Sequence, residues 1–313
     1  MKEVKAIVLC NNPIAIPGIK EFLFYGKLAA ICIPRRNKEM QHILEHLLTD
    51  TGVPLLLLNK KDYVTQLTDA IHQYQPNAGL IMTFPYILPD AIINMPEKGF
   101  INFHYGLLPS CRGPQPILWH MLKNDTEAGI TLHKVDEGID TGAIIIQEKI
   151  PIEQADTYGT LQTKLAYLAA KQAEALLKIL LYGTIIPSQP QDESMAAYYK
   201  MPEAKDLTIN WKKMSAEEIV RLCNACNPWN KGAGTSINNW VIGVTSAEDN
   251  GEYLPLDEKS GGTIIACSKE EGLVIKTADN RRLIITIVYI NEGFFTGWQL
   301  LNFGIKEGMI LGE

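Results

Sequence analysis

Short apolar runs alternate with amphipathic stretches through the first half of the chain, and this alternation limits the fold more than any other feature. It is typical of a parallel sheet wrapped by helices, because strands buried on both faces read as continuous apolar runs. The predicted strands are Val4–Cys10, Leu28–Ile33, Val53–Leu58, Ala78–Met82, Gly99–His104 and Gly129–Val135. The predicted helices cover residues 37–50, 62–74, 114–123 and, after a cap at Asp156 and Thr157, the chain to Gly183.

The loop after the first predicted strand argues against one large class of α/β proteins. It reads N-N-P-I-A-I-P-G over residues 11–18 and lacks the G-x-G-x-x-G that brings a helix N-terminus against a pyrophosphate. We therefore predict a Rossmann-like, mostly parallel sheet with helices on both faces that does not bind a redox nucleotide in this loop.

The pattern changes after residue 183. Residues 187–194 read P-S-Q-P-Q-D-E-S, a polar and proline-containing segment typical of a linker. Ser215 and Glu218 then form a capping box for a helix to Ala225. Short strands between Gly-rich turns follow at Ser236–Thr245, Thr263–Cys267, Leu273–Thr277 and Leu283–Tyr289. We predict a first domain over residues 1–183, a linker over 184–204 and a small OB-like β-barrel domain over 205–313.

Charge and cysteine usage limit the partners and the compartment. The chain carries 29 Lys and Arg against 35 Asp and Glu, a net charge of −6, so its overall charge does not favour a polyanion. Six scattered cysteines favour a reducing compartment, and no apolar run predicts a secretory signal or a membrane span. A cytoplasmic protein without a membrane partner is expected. Cys223 and Cys226 form a C-x-x-C without a second ligand pair, so no metal site is predicted.

One stretch carries the groups that acyl chemistry needs. Asn102 and His104 lie two residues apart at the end of a predicted strand, so their side chains point the same way. Asp140 follows on a glycine-flanked loop. When an amine attacks an acyl carbon, an amide and a protonated imidazole can stabilise the oxyanion, and a carboxylate or a water it holds can accept the proton.

Two neighbouring features leave alternatives. Ser110 and Cys111 lie in a turn between two prolines with no evident base, so direct attack by the amine is favoured over a covalent enzyme intermediate. His133, on the next predicted strand, is interpreted as a structural histidine rather than as support for the site. The apolar, aromatic loop T-F-P-Y-I-L-P-D over residues 83–90 could equally be a packing loop or a ligand-binding loop.

The motifs around these residues resemble the folate-dependent formyltransferase family. Its pattern is N-x-H-x-S-L-L-P-x-x-R-G, then G-V-T, then D-x-G-x-D-T-G. The chain reads N-F-H-Y-G-L-L-P-S-C-R-G from Asn102, G-I-T from Gly129 and D-E-G-I-D-T-G from Asp136. In addition, D-L-T-I-N-W (206–211) and N-P-W (227–229) resemble the start of the C-terminal domain of methionyl-tRNA formyltransferases, and a related domain follows the catalytic domain in sugar-nucleotide formyltransferases.

The resemblance implies a transfer of the formyl group of 10-formyltetrahydrofolate, the co-substrate, to an amine without a metal. It implies that Asn102, His104 and Asp140 are catalytic. It also implies that two segments bind the folate. The first is Phe84, Pro85, Tyr86, Ile87 and Leu88, and the second is Asp136, Glu137, Gly138 and Ile139.

Two departures from the family pattern concern the acceptor. Gly106 stands where the family usually has serine, and residues 34–40 replace the long basic insertion that engages the acceptor stem in methionyl-tRNA formyltransferases. From Lys205 onward, 11 basic residues face 14 acidic ones, which disfavours tRNA. A small amine, such as an amino sugar or a sugar nucleotide, is therefore the expected acceptor, and methionyl-tRNA is the alternative. A 10-formyltetrahydrofolate hydrolase and an inactive folate-binding module are the remaining readings.

Overall fold

The computed structural model describes residues 4–183, 185–238, 240–255 and 258–312. The chain divides into two compact units. The first contains the chain up to Pro116, Glu127–Pro151 and Gln162–Lys200, and the second contains Ile117–Thr126, Ile152–Leu161 and the chain from Met201 on. The domain boundaries at 183 and 205 stay a prediction, and residue 184, where the predicted linker starts, lies outside the described residues.

The α-helices and strands follow one another along the chain as the alternating pattern predicts. The helices are α1 (Ile16–Phe24), α2 (Lys38–Leu47), α3 (Tyr63–Tyr74), α4 (Asp90–Ile93), α5 (Pro116–Leu122), α6 (Tyr158–Tyr182) and α7 (Ala216–Cys226). The strands are β1 (Ala6–Cys10), β2 (Leu28–Pro34), β3 (Leu55–Leu58), β4 (Ala78–Met82), β5 (Phe100–His104), β6 (Glu127–Lys134), β7 (Ile144–Pro151), β8 (Ala233–Ile237), β9 (Trp240–Tyr253), β10 (Ile264–Ser268), β11 (Gly272–Lys276), β12 (Arg281–Ile290) and β13 (Gly293–Thr296).

The first unit is built on a seven-stranded sheet in the order β3-β2-β1-β4-β5-β6-β7. Strands β1 to β5 pair in parallel, whereas β6 is antiparallel to β5 and β7 is antiparallel to β6. All five residues of β1 are buried, so the centre of the sheet is covered on both faces. The predicted mostly parallel α/β sheet is confirmed. Asn102 and His104 lie near the carboxyl end of β5, at the edge of the sheet where β1 to β5 end.

The second unit contains an antiparallel sheet in the order β10-β11-β12-β9-β8, with β13 paired to β12. The last residues of the chain join its two edge strands. Ile264 in β10 donates its N–H to the Met309 carbonyl at 2.8 Å, and Gly312 donates to the carbonyl of Ser236 in β8 at 2.7 Å. The C-terminal segment thus closes the sheet, which agrees with the predicted small β domain.

Three of the differences from the sequence predictions have a clear physical reason. Helix α1 begins inside the predicted loop 11–18, because a proline in the first turn needs no N–H donor there. The single strand predicted over Ser236–Thr245 is wrong: the chain reverses after β8 and returns as β9. Asn238 adopts a left-handed φ of 48° at this turn, a conformation that asparagine tolerates well. Strand β7 is half exposed beside β6. It was not predicted because charged residues interrupt its apolar pattern.

One glycine in the sheet allows a large core side chain. Gly79 in β4 pairs with Phe100 in β5, and a Cβ on Gly79 would lie 2.2 Å from a ring carbon of Phe100. Phe100 is 1% exposed, so its ring has little room to move. Close packing at this position holds β5, and with it the residues that follow Phe100, against the sheet.

We expect Gly79→Ala to lower the free energy of unfolding by about 1–3 kcal/mol through overpacking. Gly18→Ala is the matched control, because a Cβ in α1 would meet Met82 at an ordinary 3.4 Å. Since alanine favours a helix over glycine, this control should be neutral or stabilising by up to about 1 kcal/mol. Urea unfolding followed by circular dichroism measures both; equal stabilities for the two variants would contradict the packing argument.

Candidate active site

Asn102, His104 and Asp140 come together beyond the end of β5. The Nδ2 of Asn102 lies 3.2 Å from Oδ1 of Asp140, and the Nδ1 of His104 lies 3.6 Å from the same oxygen. Asn102 and His104 share one side of β5, while Asp140 arrives on the loop between β6 and β7. The three polar groups that the sequence singled out therefore form one cluster around a single carboxylate oxygen.

His104 is buried and held by a backbone carbonyl. Its Nε2 lies 2.7 Å from the carbonyl oxygen of Cys111. Because a carbonyl only accepts, we place a proton on Nε2, which leaves Nδ1 facing Asp140. Burial lowers the pKa of the imidazole below its ordinary value; the Asp140 charge opposes this effect and the neighbouring His133 adds to it. Desolvation thus outweighs the Asp140 charge, which by itself would favour the protonated imidazole.

Asp140 is an ionised carboxylate in a mostly buried position. Its Oδ1 accepts from Asn102, and its Oδ2 accepts the N–H of Gly113 at 2.9 Å. Burial alone would raise the pKa of this carboxyl, but the neighbouring His104 and His133 imidazoles and the hydrogen bond from Gly113 outweigh it and hold the pKa well below its usual range. The group therefore stays ionised at neutral pH and can accept hydrogen bonds.

His133 orients Asn102, a role that the sequence analysis did not assign. The two residues are opposite each other in the antiparallel pairing of β5 and β6. The Nδ1 of His133 is 2.8 Å from the Lys134 carbonyl, so Nε2 accepts from the Nδ2 of Asn102 at 3.1 Å. Both amide hydrogens of Asn102 then have acceptors, His133 and Asp140. Only the strand register could have revealed this pair.

The turn after β5 contacts the site closely because residue 106 is a glycine. A Cβ on Gly106 would lie 2.6 Å from Cβ of Pro116 and 2.9 Å from Nε2 of His104. Thr131 Oγ1 donates to the Gly106 carbonyl at 2.7 Å and accepts the N–H of Leu108 at 3.2 Å. A serine at position 106 would thus need the turn or the His104 ring to shift, and Thr131 holds the turn in its place.

The predicted binding loop after β4 forms an ordered aromatic cluster. The ring centroids of Phe84 and Tyr86 are 5.1 Å apart, and that of Tyr63, from α3, is 4.9 Å from Tyr86. The Tyr63 hydroxyl also donates to the carbonyl of Ile87 at 2.6 Å. Leu88 is buried, whereas the side chain of Ile87 is 71% exposed. Tyr63 is a supporting residue that the sequence analysis missed, since it lies twenty residues before the loop.

The second predicted binding segment is a tight, exposed turn. Asp136 Oδ1 accepts the N–H of Gly138 at 3.2 Å and the hydroxyl of Thr141 at 2.6 Å. Residues 136–139 are all exposed. The turn leads directly into Asp140, so its hydrogen bonds help to fix the direction from which the carboxylate enters the site.

In the described part of the chain, no cluster of three or more His, Cys, Asp or Glu side chains could hold a metal ion. No described helix combines the length and the apolar character that crossing a membrane requires.

Comparison with known proteins gives concordant matches for both units. Residues 30–177 match the family described as formyl transferase, and residues 203–294 match the formyl transferase C-terminal domain. A methionyl-tRNA formyltransferase of Clostridioides difficile is 31% identical to this chain, and the alignment covers 99% of this chain and 100% of that protein.

Two solved structures share the fold. An N-formyltransferase from Helicobacter canadensis, crystallised with folinic acid and dTDP-3-aminofucose, has a TM-score of 0.66 at 21% identity, covering 90% of this chain and 98% of that one. A variant of HypX from Aquifex aeolicus has a TM-score of 0.65 at 17% identity over 98% of this chain. The chain spans only 50% of HypX.

We expect Asp140→Asn to lower the pKa of His104 further, because it removes the carboxylate charge that opposes desolvation. The ring resonances of His104, followed by NMR as a function of pH, measure this shift. Asp136→Asn is the control, since its carboxylate bonds Thr141 and Gly138 rather than the imidazole. An equal shift in both variants would show that the cluster is not the source of the perturbation.

Proposed function

Since the chain belongs to the formyl transferase family, we propose that it transfers the formyl group of 10-formyltetrahydrofolate to the primary amine of a small acceptor, such as an amino sugar carried on a nucleotide. The observation that carries the proposal is the shared position of Asn102, His104 and Asp140 around one carboxylate oxygen. An amide donor and an imidazole that both lie beside one carboxylate oxygen suit attack by an amine on an acyl carbon.

Asn102 has the role of stabilising the oxygen that gains negative charge during the attack. Its amide now donates to Asp140 and His133. An anionic substrate oxygen would replace Asp140 as the acceptor of one of these hydrogens. The exchange frees a lone pair on Oδ1, so the carboxylate becomes a better proton acceptor at the moment when the amine nitrogen becomes positive.

Asp140 and His104 then pass the proton from the attacking nitrogen to the departing one. Asp140, directly or through a water, accepts the proton as the new C–N bond forms. His104 shares that proton through Nδ1, which faces Oδ1 at 3.6 Å. The proton ends on the nitrogen of the folate as its C–N bond to the formyl group breaks, which balances the transfer without a covalent enzyme intermediate.

Two segments of this chain fit the folate, which supplies the formyl group. The rings of Phe84 and Tyr86 and the exposed side chain of Ile87 offer apolar surface to a flat heteroaromatic ring. Pro85 and Leu88 complete this loop, and the exposed turn Asp136, Glu137, Gly138 and Ile139 supplies polar groups and backbone amides beside Asp140. We assign folate binding to these two segments.

Three observations favour a small acceptor. The connection between β2 and α2 contains only residues 35–37, so it holds no insertion that could grip an acceptor stem. Arg35 and Arg36 are exposed there, at the carboxyl edge of the sheet, where a nucleotide phosphate could reach them. In the second unit, Arg281 pairs with Asp249 at 3.0 Å and Arg282 with Glu252 at 3.6 Å, which weakens their attraction for a polyanion.

Methionyl-tRNA is the second candidate acceptor. A specific observation favours it: the relative from Clostridioides difficile, named for that substrate, aligns along the full length of both chains. Both candidates use the same donor and the same chemistry, so only the acceptor separates them.

A direct acceptor assay tests the proposal. We expect release of tetrahydrofolate from 10-formyltetrahydrofolate when aminodeoxysugar nucleotides are supplied, and little release with charged initiator tRNA. The reverse preference would establish the second candidate. Formate release at a comparable rate without any amine would instead identify a hydrolase.

His104→Ala should lower kcat by about 10²–10⁴-fold, the usual range for loss of a positioned proton-transfer group. The KM for the folate should change little, because the folate segments remain intact. His42→Ala, on an exposed position of α2, is the control. Equal turnover by the two variants under saturating substrates would exclude the proposed role of His104.

A further inference from the structure

Residues 189–199 form a strap along the first unit, with a short 3₁₀ helix at Glu193–Met195, although their composition predicts a linker. Gln189 exchanges both backbone hydrogen bonds with Ile144, each at 2.8 Å. Further along, Ala197 donates to the Pro109 carbonyl at 3.0 Å and accepts the N–H of Arg112 at 2.9 Å. The strap is therefore fastened at one end to the start of β7 and at the other to the turn after β5.

Arg112, a buried residue of that turn, reaches into the strap between these attachments. Its Nε and Nη2 donate to Oε1 of Gln191 at 3.2 and 2.8 Å. Its Nη1 and Nη2 also donate to the carboxylate of Glu193 at 3.0 and 2.6 Å. Because a guanidinium only donates, it fixes the oxygen of the Gln191 amide towards itself and the nitrogen away from itself.

The nitrogen of Gln191 is aimed at the loop that carries Asp140. Nε2 donates to the Asp140 carbonyl and to the Gly142 carbonyl, each at 2.8 Å. One amide group thus uses both of its hydrogens on two carbonyls that flank a single turn. The orientation of these carbonyls sets the planes of the peptide bonds around residue 140.

Asp140 has an unusual backbone that needs such support. Its φ is 57°, in the left-handed region, which costs a residue with a Cβ roughly 1–2 kcal/mol. An extended conformation would relieve this cost, but it would swing the Cα–Cβ bond and carry the carboxylate away from Asn102, His104 and the Gly113 amide. The two bonds from Gln191 oppose that relaxation.

We propose that Gln191 is a positioning residue that holds the Asp140 loop in its left-handed conformation and so keeps the carboxylate between Asn102 and His104. The inference rests on the proposed formyl transfer for its effect on rate, but its geometry stands without it. Among the described residues, the Gln191 side chain bonds Arg112 and the carbonyls of Asp140 and Gly142, not the side chains of the proposed folate segments. Its loss should therefore affect the rate of transfer rather than folate binding.

Two substitutions separate positioning from mere packing. Gln191→Ala removes both the acceptor for Arg112 and the donor to the loop, whereas Gln191→Glu keeps the acceptor but replaces the donor by a negatively charged oxygen. Gln189→Ala and Gln189→Glu are matched controls, because Gln189 is exposed on the same strap and its two hydrogen bonds to Ile144 are made by its backbone. All four are compared with the wild type for melting temperature, kcat and the KM for the folate.

We expect both Gln191 variants to lower kcat by about 10- to 100-fold, because small displacements of a reacting group have effects of this size. Their KM for the folate should stay within about twofold of the controls. The pH midpoint of the His104 ring resonance in Gln191→Ala should move to lower pH, as when the carboxylate of Asp140 is removed, and that in Gln189→Ala should not move.

Several outcomes would overturn the proposal. They are restoration of turnover by Gln191→Glu, a rise in KM without a fall in kcat, or global unfolding of both Gln191 variants at the assay temperature. If the wild type transfers no formyl group to any amine, the proposed function fails. The His104 titration then decides on Gln191 alone: an unchanged midpoint in folded Gln191→Ala would refute positioning.

Discussion

The buried carboxylate of Asp140 is the constraint on which the candidate site depends. A charge taken out of water must be met by donors, and here these come from two places: Asn102 in β5 and the Gly113 amide in the following turn, while the His104 imidazole lies beside Oδ1. Each donor lies on an element that is itself fixed by the sheet or by backbone bonds. The carboxylate therefore links segments that are distant in sequence into one arrangement.

The turn over residues 106–113 connects these parts more than any other segment. Its backbone supplies the Cys111 carbonyl to His104 and the Gly113 amide to Asp140, and its Arg112 side chain anchors the strap. Gly106 lets the turn approach the imidazole, and Thr131 ties it to β6. The turn over residues 106–113 therefore fixes the positions of both the His104 imidazole and the Asp140 carboxylate.

The sequence predicted the parts that depend on local pattern. Apolar runs located most strands of the parallel sheet, and the period of two placed Asn102 and His104 on one side of β5. It failed where distant segments meet. The role of His133 depends on the register of β5 against β6, and the hairpin at Asn238 depends on a residue with left-handed φ. The role of Gln191 depends on a segment whose polar, proline-containing composition is typical of linkers. None of these contacts produces a periodic pattern in the local sequence.

The strap also bears on how this protein could be divided or recombined. Composition suggests that the catalytic region ends with α6, and a fragment or chimera cut there would contain Asn102, His104 and Asp140. It would lack the amide that holds the Asp140 loop and the partners of the buried Arg112 guanidinium. The segment that an intact candidate site requires is thus longer than the sheet and helices of the first unit. An exchange of C-terminal domains between relatives would have to keep the chain unchanged through Lys200.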